Sequence, residues 1–319
     1  MINLNIILKN LYNFTKRLVF VIFFIFVLNQ VFKNLKFFEI KFIENLPLIL
    51  LIFFIHIIHH NFLNLRLYLL IKNCTNYSGS FFNWAKIFFG SLAFNLMISH
   101  TGSAYRAIEL KKNNVEYEKF LGLYYISFLG YLIVNLLLIN IEILFIDDVT
   151  ENLKWYIFFI FSIIFCLAIF FPYLSSLLIN KFQIYNIKII KKIFNIGLTI
   201  LFFIKNSVKK SGTILIIIVF SSTSHLFEFL LFYLSYDLFM TELKIETLII
   251  LFSLSFVLDR VPIISNIPGL NETIFAAISV PMGLYFNESF LTKLTLRFTG
   301  YFSVILNLLV YRFFYQTNK

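Results

Sequence analysis

A break between two apolar runs limits the folds that this chain can adopt. The stretch Val261–Tyr285, VPIISNIPGLNETIFAAISVPMGLY, holds three of the five prolines of the protein and two of its glycines. Because proline lacks a backbone N–H and restricts the residue before it, one uninterrupted helix cannot run through this stretch. In lipid, a broken backbone is tolerated only where protein buries it or where it lines a cavity. We therefore expect the rest of the chain to form the wall around this break.

The composition is that of a membrane protein. Of the 319 residues, 60% are hydrophobic and 13% are charged, and the mean hydropathy is +0.87. These values lie outside the range of soluble domains and predict a polytopic membrane protein. The net charge of +11 comes from basic residues between apolar runs, which indicates contact with anionic lipid head groups and no nucleic-acid partner. Cys74 and Cys166 lie far apart in the chain, so they predict neither a disulfide framework nor a zinc site.

We predict an all-α polytopic membrane protein that forms a single integral membrane domain over residues 1–319. It has about six transmembrane helices, two re-entrant segments at about 81–103 and 248–284, and a cytoplasmic surface helix within about 181–210. The alternation of basic and acidic loops places both termini in the cytoplasm of a bacterial-type cytoplasmic (inner) membrane. The predicted spans are Leu18–Phe32, Leu46–Ile71, Phe120–Ile146, Trp155–Ile179, Ile214–Leu234 and Phe290–Tyr311.

The first interrupted segment carries a glycine followed by an arginine. Gly102 marks a turn, and Arg106 lies near the start of the helix that follows. Arginine binds phosphate through two parallel hydrogen bonds and keeps its charge, which favours a lipid head-group ligand. The alternative is an interfacial arginine that pairs with Glu109, three residues further along the helix. Paired interrupted segments, one in each half of the chain, are typical of a transporter's binding site.

The second interrupted segment places a carboxylate after a proline–glycine turn. Pro268 and Gly269 precede Glu272, which falls in the first turn of the next predicted helix. Glu272 either complements the helix dipole or acts as a partner for Arg106, for a cationic head group or for a proton. Asp259 is a secondary candidate of the same kind. Arg297, in the last span, is a candidate counter-charge for either carboxylate.

Histidines within the predicted spans are further candidates. His225 and Glu228 lie three residues apart on one helix face, where they form either a proton relay or a hydrogen-bonded structural pair. His56 and His60 have a spacing that suits zinc, but no carboxylate or cysteine accompanies them in that segment, so we predict no metal site. The chain has no nucleophile elbow, no phosphate-binding loop after a strand and no CxxC motif. We therefore predict no catalytic residue, no cofactor and no enzyme.

Two patches resemble the flippase-like integral membrane family, whose best-known form is the transmembrane region of lysylphosphatidylglycerol synthases. The first is Asn95–Leu110, NLMISHTGSAYRAIEL. It is similar to the family's N…P…G…R…L segment at the end of a re-entrant helix, with Gly102 and Arg106 at matching positions. The family's usual proline is replaced near Ser99–His100.

The second patch is Ile267–Glu272, IPGLNE. It is similar to the family's P-G-G-x-G-x-x-E turn, followed by a helix and a span with an arginine. Pro268, Gly269, Glu272 and Arg297 fit this pattern, whereas the later glycines of the turn are missing. No long polar region follows Tyr311, so we expect no soluble aminoacyl-transferase domain.

The resemblance implies a lipid or lipid-linked-saccharide translocase whose partner is an anionic phospholipid or a polyprenyl-linked lipid. The head-group residues would then be Gly102, Arg106, Pro268, Gly269, Glu272 and Arg297. The alternative is a non-catalytic membrane subunit that presents a lipid carrier to a glycosyltransferase. A membrane-embedded enzyme acting on polyprenyl phosphates is disfavoured, because Asp147 and Asp148 stand alone on their loop.

Overall fold

The computed structural model confirms the all-α class, since every regular element in the described part of the chain is helical. It describes residues 29, 43–97, 101–145, 155–156, 158–164, 166, 199–200, 202–239, 243–261, 264 and 269–317. Outside these residues lie Pro268, most of the 181–210 segment and most of the predicted spans Leu18–Phe32 and Trp155–Ile179. The helices are α1 Leu46–Cys74, α2 Phe81–Met97, α3 Thr101–Lys111, α4 Tyr117–Leu144, α5 Ser211–Asp237, α6 Ile245–Arg260, α7 Leu270–Ser279 and α8 Phe286–Thr317.

Four of the described helices, α1, α4, α5 and α8, are long and apolar enough to cross a membrane. Their most apolar windows have mean hydropathies of 1.4–2.0, so the chain is an integral membrane protein by length and composition. Three of these helices continue past the end of their predicted span, whereas α4 begins earlier than predicted and ends at Leu144, before the predicted Ile146. The helices have 27–32 residues, more than the ~20 needed for the hydrocarbon core, so they are long enough to continue into the head-group region. The other two predicted spans fall largely outside the described residues.

The chain divides into two compact units, which we describe separately. Unit 1 consists of Met1–Phe53 and Leu230–Thr299, and unit 2 consists of Phe54–Phe229 and Gly300–Lys319. The divisions fall inside α1, α5 and α8, so each of these helices contributes residues to both units.

In unit 2, α2 and α3 form an antiparallel helical hairpin. Gly102 makes the close approach possible, since a Cβ built on it would lie 1.8 Å from the Ser91 carbonyl oxygen. The Gly102 N–H donates to Asn95 Oδ1 at 2.8 Å, and at the other end Asn83 Nδ2 donates to Asn113 Oδ1 at 3.0 Å. The first interrupted segment therefore turns back on itself, which is the backbone course that a re-entrant segment requires.

In unit 1, α7 begins at a left-handed glycine. Gly269 has φ = 87°, and its N–H donates to Glu272 Oε2 at 2.9 Å. This cap starts the helix at Leu270, because the Glu272 side chain satisfies a backbone donor at the helix start. Glu272 therefore lies in the first turn of the helix, as the sequence predicted. One face of α7 packs Phe275 against Phe232, with ring centroids 5.7 Å apart.

Candidate functional site

A buried ion pair joins α7 and α8 in unit 1. The Glu272 side chain is 1% exposed, and Arg297 Nε lies 2.9 Å from its Oε1. Its other oxygen accepts the Gly269 N–H. A buried carboxylate requires a partner and hydrogen bonds to offset its lost hydration, and Glu272 has both. Of the two carboxylates for which Arg297 was a candidate counter-charge, the structure pairs it with Glu272.

A second ion pair in the same unit joins α6 and α8. Lys293 Nζ lies 2.8 Å from Asp259 Oδ2 and also donates to Ser255 Oγ. Asn271, at the start of α7, donates its side-chain N–H to Asp259 Oδ1 at 2.6 Å. The two pairs together balance two carboxylates with two cations and fasten α6, α7 and α8 to each other around the second interrupted segment.

Arg106 lies buried within the hairpin of unit 2. Its residue exposure is 5%, and its Nε donates to Ser91 Oγ at 3.0 Å. The guanidinium carbon is 5.2 Å from the centroid of the Phe88 ring. Burial lowers the pKa of the Arg106 guanidinium to about 10, which leaves it charged at neutral pH.

The alternative partner for Arg106, Glu109, pairs elsewhere. Glu109 Oε1 lies 2.6 Å from Lys112 Nζ, and within the described ranges no carboxylate forms an ion pair with Arg106. The cavity that Arg106 lines has a volume of about 10 Å³, which is too small for a head group. In this conformation Arg106 therefore stabilises the hairpin from inside.

A larger groove lies on the outside of the same hairpin. It has a volume of about 420 Å³ and is formed by α2, α3 and α8, and we call it the basic groove. Its charged lining residues are Lys86 and Arg312, both cations, and among its described lining residues there is no carboxylate. The lining residues are Lys86, Gly90, Ala93, Phe94, Tyr105, Leu308 and Arg312.

His225 and Glu228 contact different partners within unit 2. His225 Nε2 lies 2.7 Å from Glu142 Oε1, and its Nδ1 lies 2.8 Å from Asn135 Oδ1. Glu228 Oε1 lies 3.7 Å from His59 Nε2. The residues three apart on α5 thus each reach a different neighbouring helix, α4 for His225 and α1 for Glu228.

The α1 histidines stack on one another. The ring centroids of His56 and His60 are 5.8 Å apart, and those of His59 and His60 are 5.9 Å apart. His60 Nδ1 lies 2.7 Å from Ser303 Oγ on α8. In the part of the chain that the structure describes, no group of three or more His, Cys, Asp or Glu side chains could hold a metal ion.

The predicted site residues fall into two groups. Gly102 and Arg106 lie together in unit 2, whereas Gly269, Glu272 and Arg297 lie together in unit 1. Sequence reasoning missed the residues Lys293, Glu142, Lys86 and Arg312. The sequence could have pointed to Lys293 and Glu142, because each is an ionisable residue inside an apolar span. Such a residue is costly in lipid and therefore needs a partner.

No protein-family model, curated protein or solved structure matches this chain. The resemblance to the flippase-like family stays a prediction that rests on the two patches around Arg106 and Glu272.

Proposed function

We propose that this protein is a translocase for anionic lipids or lipid-linked saccharides and that the basic groove holds the lipid's phosphate. One observation carries the proposal: two cations, Lys86 and Arg312, line the same groove as apolar side chains. The groove has a volume of about 420 Å³. This volume lies within the usual range of ligand pockets.

The groove matches an anionic lipid in both charge and polarity. Lys86 and Arg312 offer charged donors to a phosphate, and charge-assisted hydrogen bonds of this kind are the strong ones. Phe94 and Leu308 line the same groove and offer apolar surface to an acyl or prenyl chain. A zwitterionic lipid brings an ammonium group that the two cations repel, so the groove favours a head group with net negative charge.

The proposal gives Arg106 and the unit 1 ion pairs supporting roles. Arg106 carries a permanent charge inside the hairpin that forms one wall of the groove, and it is the cation that an anion would meet if the hairpin opened. Glu272 with Arg297, and Asp259 with Lys293, hold α6, α7 and α8 together on both sides of the second interruption. Exchange of these partners during transport would let the segment move without exposing an uncompensated charge.

The test is lipid movement in vesicles. The purified protein is placed in mixed phosphatidylcholine–phosphatidylglycerol vesicles that contain a trace of head-group-accessible fluorescent phosphatidylglycerol, and outer-leaflet quenching reports its movement. Each charge-assisted hydrogen bond contributes about 1.5–3 kcal/mol, so the double variant Lys86→Gln/Arg312→Gln should slow movement about tenfold or more.

The matched control is Lys209→Gln, which removes an exposed cation of unit 2 that does not line the groove. It should move fluorescent phosphatidylglycerol at the wild-type rate. Equal rates for all three proteins, with normal folding, would refute the proposed groove. Retained lipid binding without any movement in the wild type would instead favour the subunit that presents a lipid carrier to a glycosyltransferase.

A further inference from the structure

A buried histidine and a partly buried glutamate join α4 to α5 in unit 2. His225 Nε2 lies 2.7 Å from Glu142 Oε1, and the side chains are 1% and 27% exposed, respectively. Both residues lie in helices that are long and apolar enough to cross a membrane. A contact this short contains a hydrogen, and the other nitrogen of the imidazole decides which of the two atoms carries it.

Asn135 determines which nitrogen of His225 carries a hydrogen. The Asn135 side-chain N–H donates to the Tyr131 carbonyl oxygen at 2.7 Å, so its Oδ1 faces His225 Nδ1, at 2.8 Å. The reverse orientation of the amide would place two oxygens 2.7 Å apart with no hydrogen between them. Asn135 Oδ1 is therefore the acceptor, and His225 Nδ1 carries the hydrogen that it donates.

The hydrogen in the contact with Glu142 then cannot come from a neutral imidazole. With its hydrogen on Nδ1, the neutral imidazole of His225 presents a lone pair at Nε2 and accepts there. An ionised carboxylate also only accepts, so the two groups would face each other at 2.7 Å without a hydrogen. One added proton resolves this conflict, since it turns one of the two acceptors into a donor.

The second oxygen of Glu142 favours the carboxylic acid as the donor. Glu142 Oε2 is buried and has no hydrogen-bond partner among the described residues. A buried carboxylate needs hydrogen bonds to offset its lost hydration, and Glu272 shows this with donors at both oxygens. In apolar surroundings, a neutral acid beside a neutral imidazole therefore costs less than a carboxylate beside an imidazolium.

Fixed charges of both signs lie near this contact. Arg66 of α1 lies over the Tyr131 ring of α4, with its guanidinium carbon 4.9 Å from the ring centroid. Glu228 follows His225 by three residues on α5 and lies 3.7 Å from His59 Nε2 of α1. A nearby cation and a nearby carboxylate have opposite effects on an added proton. Neither supplies a hydrogen to the contact, so the contact still requires its own.

We propose that Glu142 and His225 form a proton-binding site whose occupancy joins α4 to α5. A proton from water binds Glu142 Oε1 and converts the carboxylate into a neutral acid. The acid O–H donates to His225 Nε2, which completes a series of hydrogen bonds through Asn135 to the Tyr131 carbonyl oxygen. Loss of the proton leaves two acceptors face to face, so the helices lose this contact. The proton enters through the partly exposed Glu142 and does not cross the membrane.

Infrared spectroscopy of the protein in lipid membranes tests the inference, because a protonated carboxyl group and a carboxylate absorb at separate frequencies. The wild type should show a protonated carboxyl band that Glu142→Gln lacks. Glu116→Gln is the matched control, since it removes a carboxylate of unit 2 whose side chain is 66% exposed, and it should keep the band. Equal bands in the wild type and Glu142→Gln would overturn the inference.

The tautomer of His225 gives a second test that needs no variant. His225 and Leu226 form the single His–Leu step of the sequence, so paired isotope labels on histidine and leucine select the His225 signals. Solid-state nitrogen NMR of the wild type should find a hydrogen on Nδ1 and a bare, hydrogen-bonded Nε2. A hydrogen on Nε2 would overturn the inference, because the imidazole would then donate to a carboxylate.

The bound proton also makes stability depend on pH. The folded site holds a proton that the unfolded chain releases, so rising pH should lower the Tm of the wild type relative to Glu142→Gln by about 2–4 °C for each pH unit. In that variant an amide N–H donates to His225 Nε2, and the contact needs no proton. Parallel Tm curves would contradict the site. These measurements involve no lipid movement, so this inference and the proposed function can fail separately.

Discussion

At the scale of single residues, the buried charges of unit 1 depend on exact partners. Glu272 is 1% exposed and has two donors, Arg297 Nε and the Gly269 N–H. Removing one member of a buried pair leaves the other desolvated and unpaired, which costs far more than the pair contributes. The stability of unit 1 should therefore respond strongly to a change at either end of the pair.

We expect Glu272→Ala to lower the free energy of unfolding by about 3–5 kcal/mol. Reversible denaturation in detergent, followed by circular dichroism, measures this change. The double variant Glu272→Ala/Arg297→Met should lose less than Glu272→Ala alone, because no buried charge remains without a partner. A loss of the same size in both variants would show that the ion pair itself does not set the cost.

The sequence identified Glu272, Arg297 and Asp259 as charges that need partners, but it did not identify which charges pair. Pairing depends on which helix faces meet, and spacing along one chain does not determine that. Lys293 was missed for this reason, since only the packing of α6 against α8 shows that it lies 2.8 Å from Asp259. Pro268 lies outside the described residues, so its predicted role stays a prediction.

At the scale of elements, the hairpin of α2 and α3 depends on one backbone contact. The two helices approach each other where Gly102 faces the Ser91 carbonyl oxygen. The sequence predicted an interruption here, because the glycine and the polar residues around it interrupt an apolar run. It placed Gly102 in the turn, whereas Gly102 lies in the first turn of α3, where it faces the α2 backbone. The sequence did not predict that Arg106 is buried, because a short helix with several charged residues is typical of a surface helix.

Gly102→Ala should destabilise the protein by about 1–3 kcal/mol or more, since the added methyl group would force α2 and α3 apart. Thermal unfolding in detergent measures the loss as a lower Tm. Gly212→Ala is the control, because its added Cβ would lie 3.5 Å from Asn73 Nδ2, an ordinary contact, and alanine suits a helix better than glycine. A Tm for Gly102→Ala equal to that of Gly212→Ala would contradict the close approach.

At the scale of the whole molecule, hydropathy predicted the membrane class and the approximate positions of α1, α4, α5 and α8. Apolar runs of this length have few other stable locations, so the prediction was robust. Helix ends were less predictable, because polar residues in the head-group region continue a helix without any change in hydropathy. Orientation rests on loop charge and needs a direct test.

We expect the two ends of α4 to lie on opposite sides of the membrane, with Glu116 in the cytoplasm and Phe145 outside. Both residues are exposed. In a variant with Cys74 and Cys166 replaced by serine, an impermeant thiol reagent added to intact cells should label Phe145→Cys and leave Glu116→Cys unlabelled. The reverse pattern would invert the orientation predicted from the loop charges.

The difference in exposure between the buried charges of unit 1 and the basic groove has a consequence for how each responds to salt. The Debye length falls from ~10 Å at 0.1 M salt to ~3 Å at 1 M, and exposed charges are screened far more than buried ones. Because Arg312 is exposed and Glu272 is buried, added salt should screen the charge of Arg312 while the unit 1 pairs persist. If the groove holds an anionic lipid as we propose, salt should therefore weaken lipid binding at concentrations that leave unit 1 folded.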